Sequence, residues 1–355
     1  MPELLHHNSH MELNDFSYYL PEELIAQHPS QKRDHSRLLF LDKRKEETSD
    51  LFFFQLPDLL QSGDVLVIND SKVILARLFG RKPTGGYLEI LLLTRKENEK
   101  DFQTWEALLR PAKRLRENDV ISLGHNCEAK VIARLSDKKW LLKFFAPDGF
   151  DAYLNKFGRA PLPPYIKRRR NDHPNIADLE RYQTIYAKNP GSIAAPTAGL
   201  HFSDDVMNTL QTKGIKIAPV TLHVGYGTFL PIESDEVEKH VMEPEYYEIS
   251  SESVEIINNA GRVIAVGTTS TRTLESAADN DGYVNARSGF TNLFIYPGYK
   301  FKRVNGLLTN FHLPQSSLFL LTCAFAGMDL MKKTYSHAVK YHYMFYSYGD
   351  CMLIL

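Results

Sequence analysis

Between Lys72 and Phe145 the apolar residues fall in short runs separated by polar ones, at 76–79, 87–93, 104–109, 120–123, 130–135 and 140–145. Runs of this length at this spacing predict strand after strand, and Pro83-Thr84-Gly85-Gly86 reads as the turn of a hairpin. A small antiparallel β-barrel is the natural product. After Ala146 the pattern changes to helices alternating with strands. Ser203 is placed to cap a helix that runs through Thr212, Gly214 to end it, and 215–220 to form a buried strand. The same order recurs in a helix over 251–260, then Gly261, then a strand over 262–266. Ahead of the barrel lie a helix-like segment at 21–27 and strand-like segments at 37–41 and 65–68. The expected fold is therefore α/β. Residues 11–71 and 146–355 form a discontinuous α/β domain with a mostly parallel or mixed sheet, and 72–145 form an inserted barrel.

A chain of 355 residues exceeds one typical domain, which agrees with two cores. Hydrophobic residues at 43% and charged residues at 24% are ordinary for a globular protein. The richest apolar stretch, 316–328, is shorter than the roughly 18 residues a membrane helix needs, and Thr322 and Gly327 interrupt it. Cys127, Cys323 and Cys351 are odd in number and far apart, which excludes a disulfide framework or a zinc motif and points to a reducing cytoplasm. Met1 to His10 carries His6, His7 and His10 ahead of a second methionine, Met11, and is expected to be a leader outside the fold.

The net charge of −1 gives no overall attraction to nucleic acid. Two local clusters do carry positive charge: Arg110, Lys113, Arg114 and Arg116, and then Lys167, Arg168, Arg169 and Arg170. The second follows Pro161, Pro163, Pro164 and Tyr165, a stiff segment that presents it for phosphate contacts.

Candidate chemistry sits in loops between regular elements. Gly191-Ser-Ile-Ala-Ala-Pro-Thr-Ala-Gly-Leu-His-Phe202 packs small residues and His201 where a core would place bulk, so backbone there can approach a ligand closely. A strand at 263–266 runs into Gly267, Thr268, Thr269, Ser270, Thr271 and Arg272, a turn whose hydroxyls, free N–H groups and guanidinium fork suit an anionic ligand. It lacks the lysine of a P-loop and the glycine spacing of a dinucleotide site. Thr221 to Phe229 brings His223 and frames Tyr226 between Gly225 and Gly227, a setting for a flat ring or a cation. His312 and Asp350 complete the groups able to exchange protons. Each histidine also has a plain structural reading, and no metal is expected because the spacing fits no metal template.

Several long motifs together carry a resemblance. They are Asp178-Leu-Glu-Arg-Tyr-Gln-Thr184 leading into 191–202, then 221–229, 267–276, 294–299, 309–314 and 348–354, with Val67-Ile-Asn-Asp70 and Leu162-Pro-Pro-Tyr-Ile166. In this order they resemble the S-adenosylmethionine:tRNA ribosyltransferase-isomerases of queuosine biosynthesis over nearly the whole chain from Met11. The resemblance implies a cytoplasmic enzyme acting on tRNA that carries 7-aminomethyl-7-deazaguanine at the wobble position. The ribosyl part of S-adenosylmethionine, a consumed co-substrate, moves to the aminomethyl group and rearranges, giving epoxyqueuosine, adenine and methionine. Under that reading His201, His223, His312 and Asp350 share the proton transfers. Ala198, Gly199, Gly225, Tyr226, Gly227, Phe229, Gly267, Thr268, Thr269, Ser270 and Arg272 hold the donor. Lys167, Arg168, Arg169, Arg170, Arg181 and Tyr182 contact the RNA, and the protein works as a monomer with no membrane partner. Where relatives commonly carry Met-His, this chain has Met242-Glu243, so no histidine role is carried there. The rivals are an ordinary methyltransferase, which would leave S-adenosylhomocysteine, and a non-catalytic RNA-binding protein, which would bind tRNA without consuming the donor.

Overall fold

The computed structural model describes residues 10–168, 176–229 and 231–355. Arg169, Arg170, the Phe229 side chain and most of the expected leader lie outside the described residues. The chain divides into two compact units. One holds the residues up to Asp70 with Pro196–Leu222 and Gly227–Leu355, and the other holds Ser71–Ala195 with His223–Tyr226.

In chain order the strands begin with β1 (Arg37–Asp42), β2 (Glu47–Phe52) and β3 (Asp64–Asn69) in the first unit. The second unit supplies β4 (Ser71–Val73), β5 (Arg77–Arg81), β6 (Tyr87–Asn98), β7 (Gln103–Arg110), β8 (Val120–Gly124), β9 (Cys127–Arg134), β10 (Lys139–Phe145) and β11 (Asn189–Ser192). The first unit resumes with β12 (Lys216–Leu222), β13 (Glu245–Ile249), β14 (Arg262–Val266), β15 (Arg287–Thr291), β16 (Gly306–Asn310) and β17 (Cys351–Ile354). The helices are α1 (Leu56–Leu59), α2 (Phe150–Phe157), α3 (Ile176–Arg181), α4 (Asp204–Thr212), α5 (Ser251–Asn258), α6 (Gly267–Ala277), α7 (Ser317–Ala326) and α8 (Met328–Lys340).

The first unit is built on a mixed nine-stranded sheet in the order β15-β13-β12-β3-β14-β16-β17-β1-β2. Its centre, β12, β3, β14 and β16, is parallel. Parallel strands with helices on both faces need apolar residues on both faces, and every residue of β3 is buried. Strand β17 runs antiparallel to β16 and parallel to β1, so it joins the parallel centre to the β1–β2 hairpin. Ser203 caps α4 by accepting the Val206 N–H at 3.3 Å, and Gly214 takes a φ of +80° just beyond the helix, a conformation that glycine adopts without strain. The apolar stretch near 316–328 becomes α7, with Phe319, Leu320, Leu321 and Cys323 all buried. Its ten residues make it an interior helix. Among the described residues no helix is long and apolar enough to cross a membrane.

The helix expected at 21–27 is only a single 3₁₀ turn, Glu22–Leu24. The residues that follow spend their backbone groups elsewhere: Phe345 N–H donates to Leu24 O at 2.8 Å and Ala26 N–H to Phe345 O at 3.2 Å. A strand-like bridge satisfies the backbone there instead of a second helical turn.

In the second unit β10-β7-β6-β5-β8-β9 close into an antiparallel barrel. Alternate residues point inward, and Leu88, Ile90, Trp105, Trp140, Leu142 and Phe144 fill its interior. Each such side chain contributes about 1.5–3 kcal/mol on burial. Closure brings β5 and β8 together at Gly80, where a Cβ would stand 2.9 Å from both Ile121 Cγ2 and Ser122 O. The Pro83–Gly86 segment turns tightly, with Lys82 N–H donating to Gly86 O at 2.9 Å. The unit also contains α2, α3 and β11, which pairs parallel with β4. The barrel strands run from Arg77 to Phe145, and the compact unit that holds them spans Ser71–Ala195 with His223–Tyr226.

Candidate active site

In an open α/β sheet, ligands bind beyond the carboxyl ends of the parallel strands. In the first unit those ends present Asn69 from β3, Thr221 from β12, the start of α6 after β14, and Asn310 from β16. Asn69 ties three of these ends together. Its Nδ2 donates to Leu222 O at 3.0 Å and Thr269 Oγ1 at 3.2 Å, and its Oδ1 accepts the Leu222 N–H at 3.1 Å. Thr221 Oγ1 donates to Asp70 Oδ1 at 2.7 Å.

His201 stands on the 3₁₀ turn Thr197–His201 and is 4% exposed. Asn310 Nδ2 donates to its Nε2 at 3.2 Å, and its Nδ1 lies 2.6 Å from Ser36 Oγ. Those two partners hold the ring by both of its nitrogens. The Phe53 ring packs at 5.3 Å from the imidazole and at 5.0 Å from Phe202. The small residues before His201 let the turn lie against α6: a Cβ placed on Gly267 would stand 3.6 Å from Ala198 Cβ. Gly199 N–H closes the turn on Pro196 O at 2.9 Å.

His312 is buried beside Thr309, whose Oγ1 is 2.8 Å from Nε2, and burial pushes its pKa down to about 3. Its backbone is fixed from both sides, the N–H donating to Tyr335 Oη at 3.2 Å and the carbonyl accepting from Tyr18 Oη. Asp350 uses both carboxylate oxygens on main-chain donors, Arg37 N–H at 2.7 Å and Met344 N–H at 2.8 Å, and burial raises its pKa. Both residues therefore hold the turns on either side of β17 and β16 in place.

Helix α6 begins with Gly267 at a φ of +90° and carries no side-chain cap. Its first N–H groups lack helical acceptors, and its dipole favours negative charge there. Thr268 is a buried residue, and among the described residues its hydroxyl makes no hydrogen bond. Ser270 Oγ bonds back to Val266 O at 2.9 Å and Thr271 Oγ1 to Gly267 O at 3.1 Å, so these hydroxyls serve the helix itself. Arg272, expected as a fork for a ligand carboxylate, already holds one. Its Nη1 pairs with Glu245 Oε2, and its Nε donates to Leu293 O at 2.9 Å, with both side chains nearly fully buried.

In the second unit His223 is partly exposed, and Ser71 Oγ lies 2.9 Å from its Nδ1. Ser71 is in turn 2.6 Å from Ser192 Oγ, which accepts the Val224 N–H at 2.8 Å. The imidazole lies flat over Gly191, where a Cβ would come within 2.6 Å of Nε2. That contact explains the first glycine of the small-residue run. Tyr226 packs partly against the barrel core. Gly225 follows His223 in the same loop, and Gly227, in the first unit, faces Glu243, whose Oε2 would be 3.3 Å from an added Cβ.

Among the described residues, three of the four expected RNA contacts, Arg168, Arg181 and Tyr182, are drawn inward. Arg168 makes a two-pronged ion pair with Asp178, at 2.8 and 2.9 Å, which neutralises its charge. Tyr182 is 1% exposed, Arg181 is half-buried, and Lys167 is the exposed member. Among the described residues no group of three or more His, Cys, Asp or Glu is placed to hold a metal ion.

Sequence reasoning assigned no role to Ser36, Asn69, Ser71, Ser192 or Glu245. Asn69 and Asn310 lay inside recognised motifs. Glu245 carried no local signal, because only the β13–β15 pairing brings it to Arg272.

The first unit is thus an α/β sheet whose strand ends carry an uncapped helix start and the hydrogen-bonded His201 and His312. The model of the family described as queuosine biosynthesis protein matches residues 13–354. The chain belongs to that family. It is 56% identical over 361 residues to the S-adenosylmethionine:tRNA ribosyltransferase-isomerase of Syntrophus aciditrophicus (strain SB), covering 97% of this chain and 100% of that protein. It is 46% identical over 349 residues to the protein of the same name from Trichlorobacter lovleyi, again with 97% and 100% covered. The 2.00 Å crystal structure of S-adenosylmethionine tRNA ribosyltransferase from Thermotoga maritima matches with a TM-score of 0.53 and 34% identity, covering 96% of this chain and all of that one.

Proposed function

We infer that this chain is a transferase that moves the ribosyl moiety of S-adenosylmethionine onto 7-aminomethyl-7-deazaguanine at the tRNA wobble position and isomerises it, releasing adenine and methionine. The observation that carries this reading is the 56% identity along the full length of a ribosyltransferase-isomerase. Its setting is the cytoplasm, where tRNA and the donor occur together. S-adenosylmethionine is consumed, and no metal takes part.

The sulfonium acidifies the adjacent C–H, so a base removes that proton and opens the ribose; adenine leaves with a proton from a general acid, the neutral tRNA amine attacks and gives up a proton, and epoxide closure breaks the C–S bond to release methionine. His223 is the proposed proton-transfer residue, because it is partly exposed and its Nδ1 is held by Ser71. His201 and the small residues Ala198 and Gly199 shape the wall beside α6. His312 and Asp350 position the strand ends. The free N–H groups at the start of α6 and the Thr268 hydroxyl bind the methionine carboxylate, since Arg272 is committed to Glu245.

The test incubates the folded protein with S-adenosylmethionine and an anticodon stem-loop bearing the aminomethyl base. A heavier RNA together with free adenine is expected. An unchanged RNA mass overturns the reading, and S-adenosylhomocysteine in place of adenine makes the chain a methyltransferase.

A further inference from the structure

One rim of the barrel gathers positive charge. The antiparallel register brings Arg81 at the end of β5, Tyr87 at the start of β6, Arg110 at the end of β7 and the loop entering β8 to the same end. Lys82, Lys113, Arg114 and Arg116 add to it from the two connecting loops. Arg110, Lys113, Arg114 and Arg116 are exposed, and among the described residues none of their side chains forms a hydrogen bond or ion pair. Glu117 and Asp119 are the acids in the same loop, and Asp119 Oδ2 is engaged by the Arg116 N–H at 2.9 Å. The hollow at the opposite rim is lined by the acids Glu99, Asp101, Asp148 and Asp151 together with Lys100.

The basic rim is also held firmly. Lys82 Nζ donates to Lys113 O at 3.0 Å and so joins the hairpin to the loop. Buried Leu115 anchors the loop, and Asn118 N–H donates to Val131 O at 2.8 Å. Arg81 stacks 4.3 Å over the Tyr87 ring and donates to Tyr87 Oη at 3.0 Å, which fixes an aromatic side chain that is 59% exposed. A held aromatic ring among exposed, uncommitted cations suits a polyanion with unpaired bases, because phosphates meet the charges and a base meets the ring.

We propose that this rim is the docking surface for the tRNA substrate, with Arg110, Lys113 and Arg114 contacting phosphates and Tyr87 stacking on an unpaired base. The proposal rests on the function inferred above and gives the RNA a place that Arg168, neutralised by Asp178, does not offer.

The test compares full-length tRNA binding by the wild-type chain, by Arg110→Gln/Lys113→Gln/Arg114→Gln, and by Lys100→Gln on the opposite rim. Each lost phosphate contact lowers the slope of log Kd against log salt by about 0.7, which is about fivefold in affinity at 0.1 M salt. The triple variant is therefore expected to bind about 100-fold more weakly with a slope lower by about 2. Lys100→Gln is expected to match wild type. Tyr87→Phe keeps the ring and the affinity, whereas Tyr87→Ala loses both. A triple variant within about threefold of wild-type Kd, with an unchanged salt slope, overturns the proposal. Adenine release by wild type is measured in parallel. If wild type releases adenine while the triple variant binds normally, only the surface falls; if wild type binds tRNA at this rim and releases none, only the activity falls.

Discussion

Removing the carboxylate of Glu245 should strand the Arg272 guanidinium in the interior of the first unit. Their side chains are 4% and 5% exposed, and the remaining partners of Arg272 are the carbonyls of Leu293 and Thr291. Breaking a buried pair from one side costs about 3–5 kcal/mol, because the surviving charge keeps its desolvation penalty and loses its compensation. In a unit of about 200 residues each kcal/mol lowers Tm by about 2–4 °C, so Glu245→Gln should melt roughly 6–20 °C below wild type. Replacing both partners with apolar residues, as in Glu245→Leu/Arg272→Met, removes the stranded charge and should recover most of that loss. Calorimetry of the two single variants and the double variant measures these effects, and titration of S-adenosylmethionine gives KM for each. The reasoning is refuted if Glu245→Gln melts within about 1 °C of wild type. It is equally refuted if Arg272→Met keeps its Tm while KM for the donor rises tenfold or more, since the arginine would then be serving the substrate.

His312 is buried neutral with a pKa of about 3, below its ordinary value. Its contribution to stability is fully present above about pH 6.5 and is lost as the pH falls toward 3, at about 1.4 kcal/mol per pH unit for one proton. Urea midpoints of His312→Gln should fall less steeply than wild type between about pH 6 and 4, and parallel curves would remove His312 from the acid response. Gly191→Ala places a Cβ within 2.6 Å of His223 Nε2 at a backbone φ of +154°. The ring is the movable partner, so adenine release should drop about tenfold or more while Tm falls by only a few degrees. Wild-type turnover in that variant would detach His223 from the chemistry.

Where local signals suffice, sequence and structure agree closely. Ser203, Gly214 and the strand Arg262–Val266 stand where capping, glycine and apolar-run rules put them. The barrel strands were legible because a two-sided environment writes a period of two along the chain. The short β1–β2 and β13–β15 pairings were less visible: β2, Glu-Thr-Ser-Asp-Leu-Phe, is an edge strand with mostly exposed residues and carries almost no apolar period. At the site, residue types were readable and their partners were not. Arg272 looks from sequence like an empty fork, and only long-range pairing supplies Glu245. Asp350 looks like a base, and only the folded turn shows both oxygens occupied by main-chain N–H groups. The partner of Arg168 was hidden for the same reason, since Asp178 lies ten positions away and reaches it only in the folded chain.

The position of β17 sets a schedule for biosynthesis. The β1–β2 hairpin is tied to the rest of the sheet through β17, and the Arg37–Asp350 contact spans 313 positions of chain. At about 5–20 residues per second, a ribosome leaves the hairpin without its neighbour for roughly 15–60 s. During that time the backbone edge of β1 that pairs with β17 along Leu38, Leu39, Phe40 and Leu41 stays open. Slow translation of the barrel lengthens the time this edge stays unpaired.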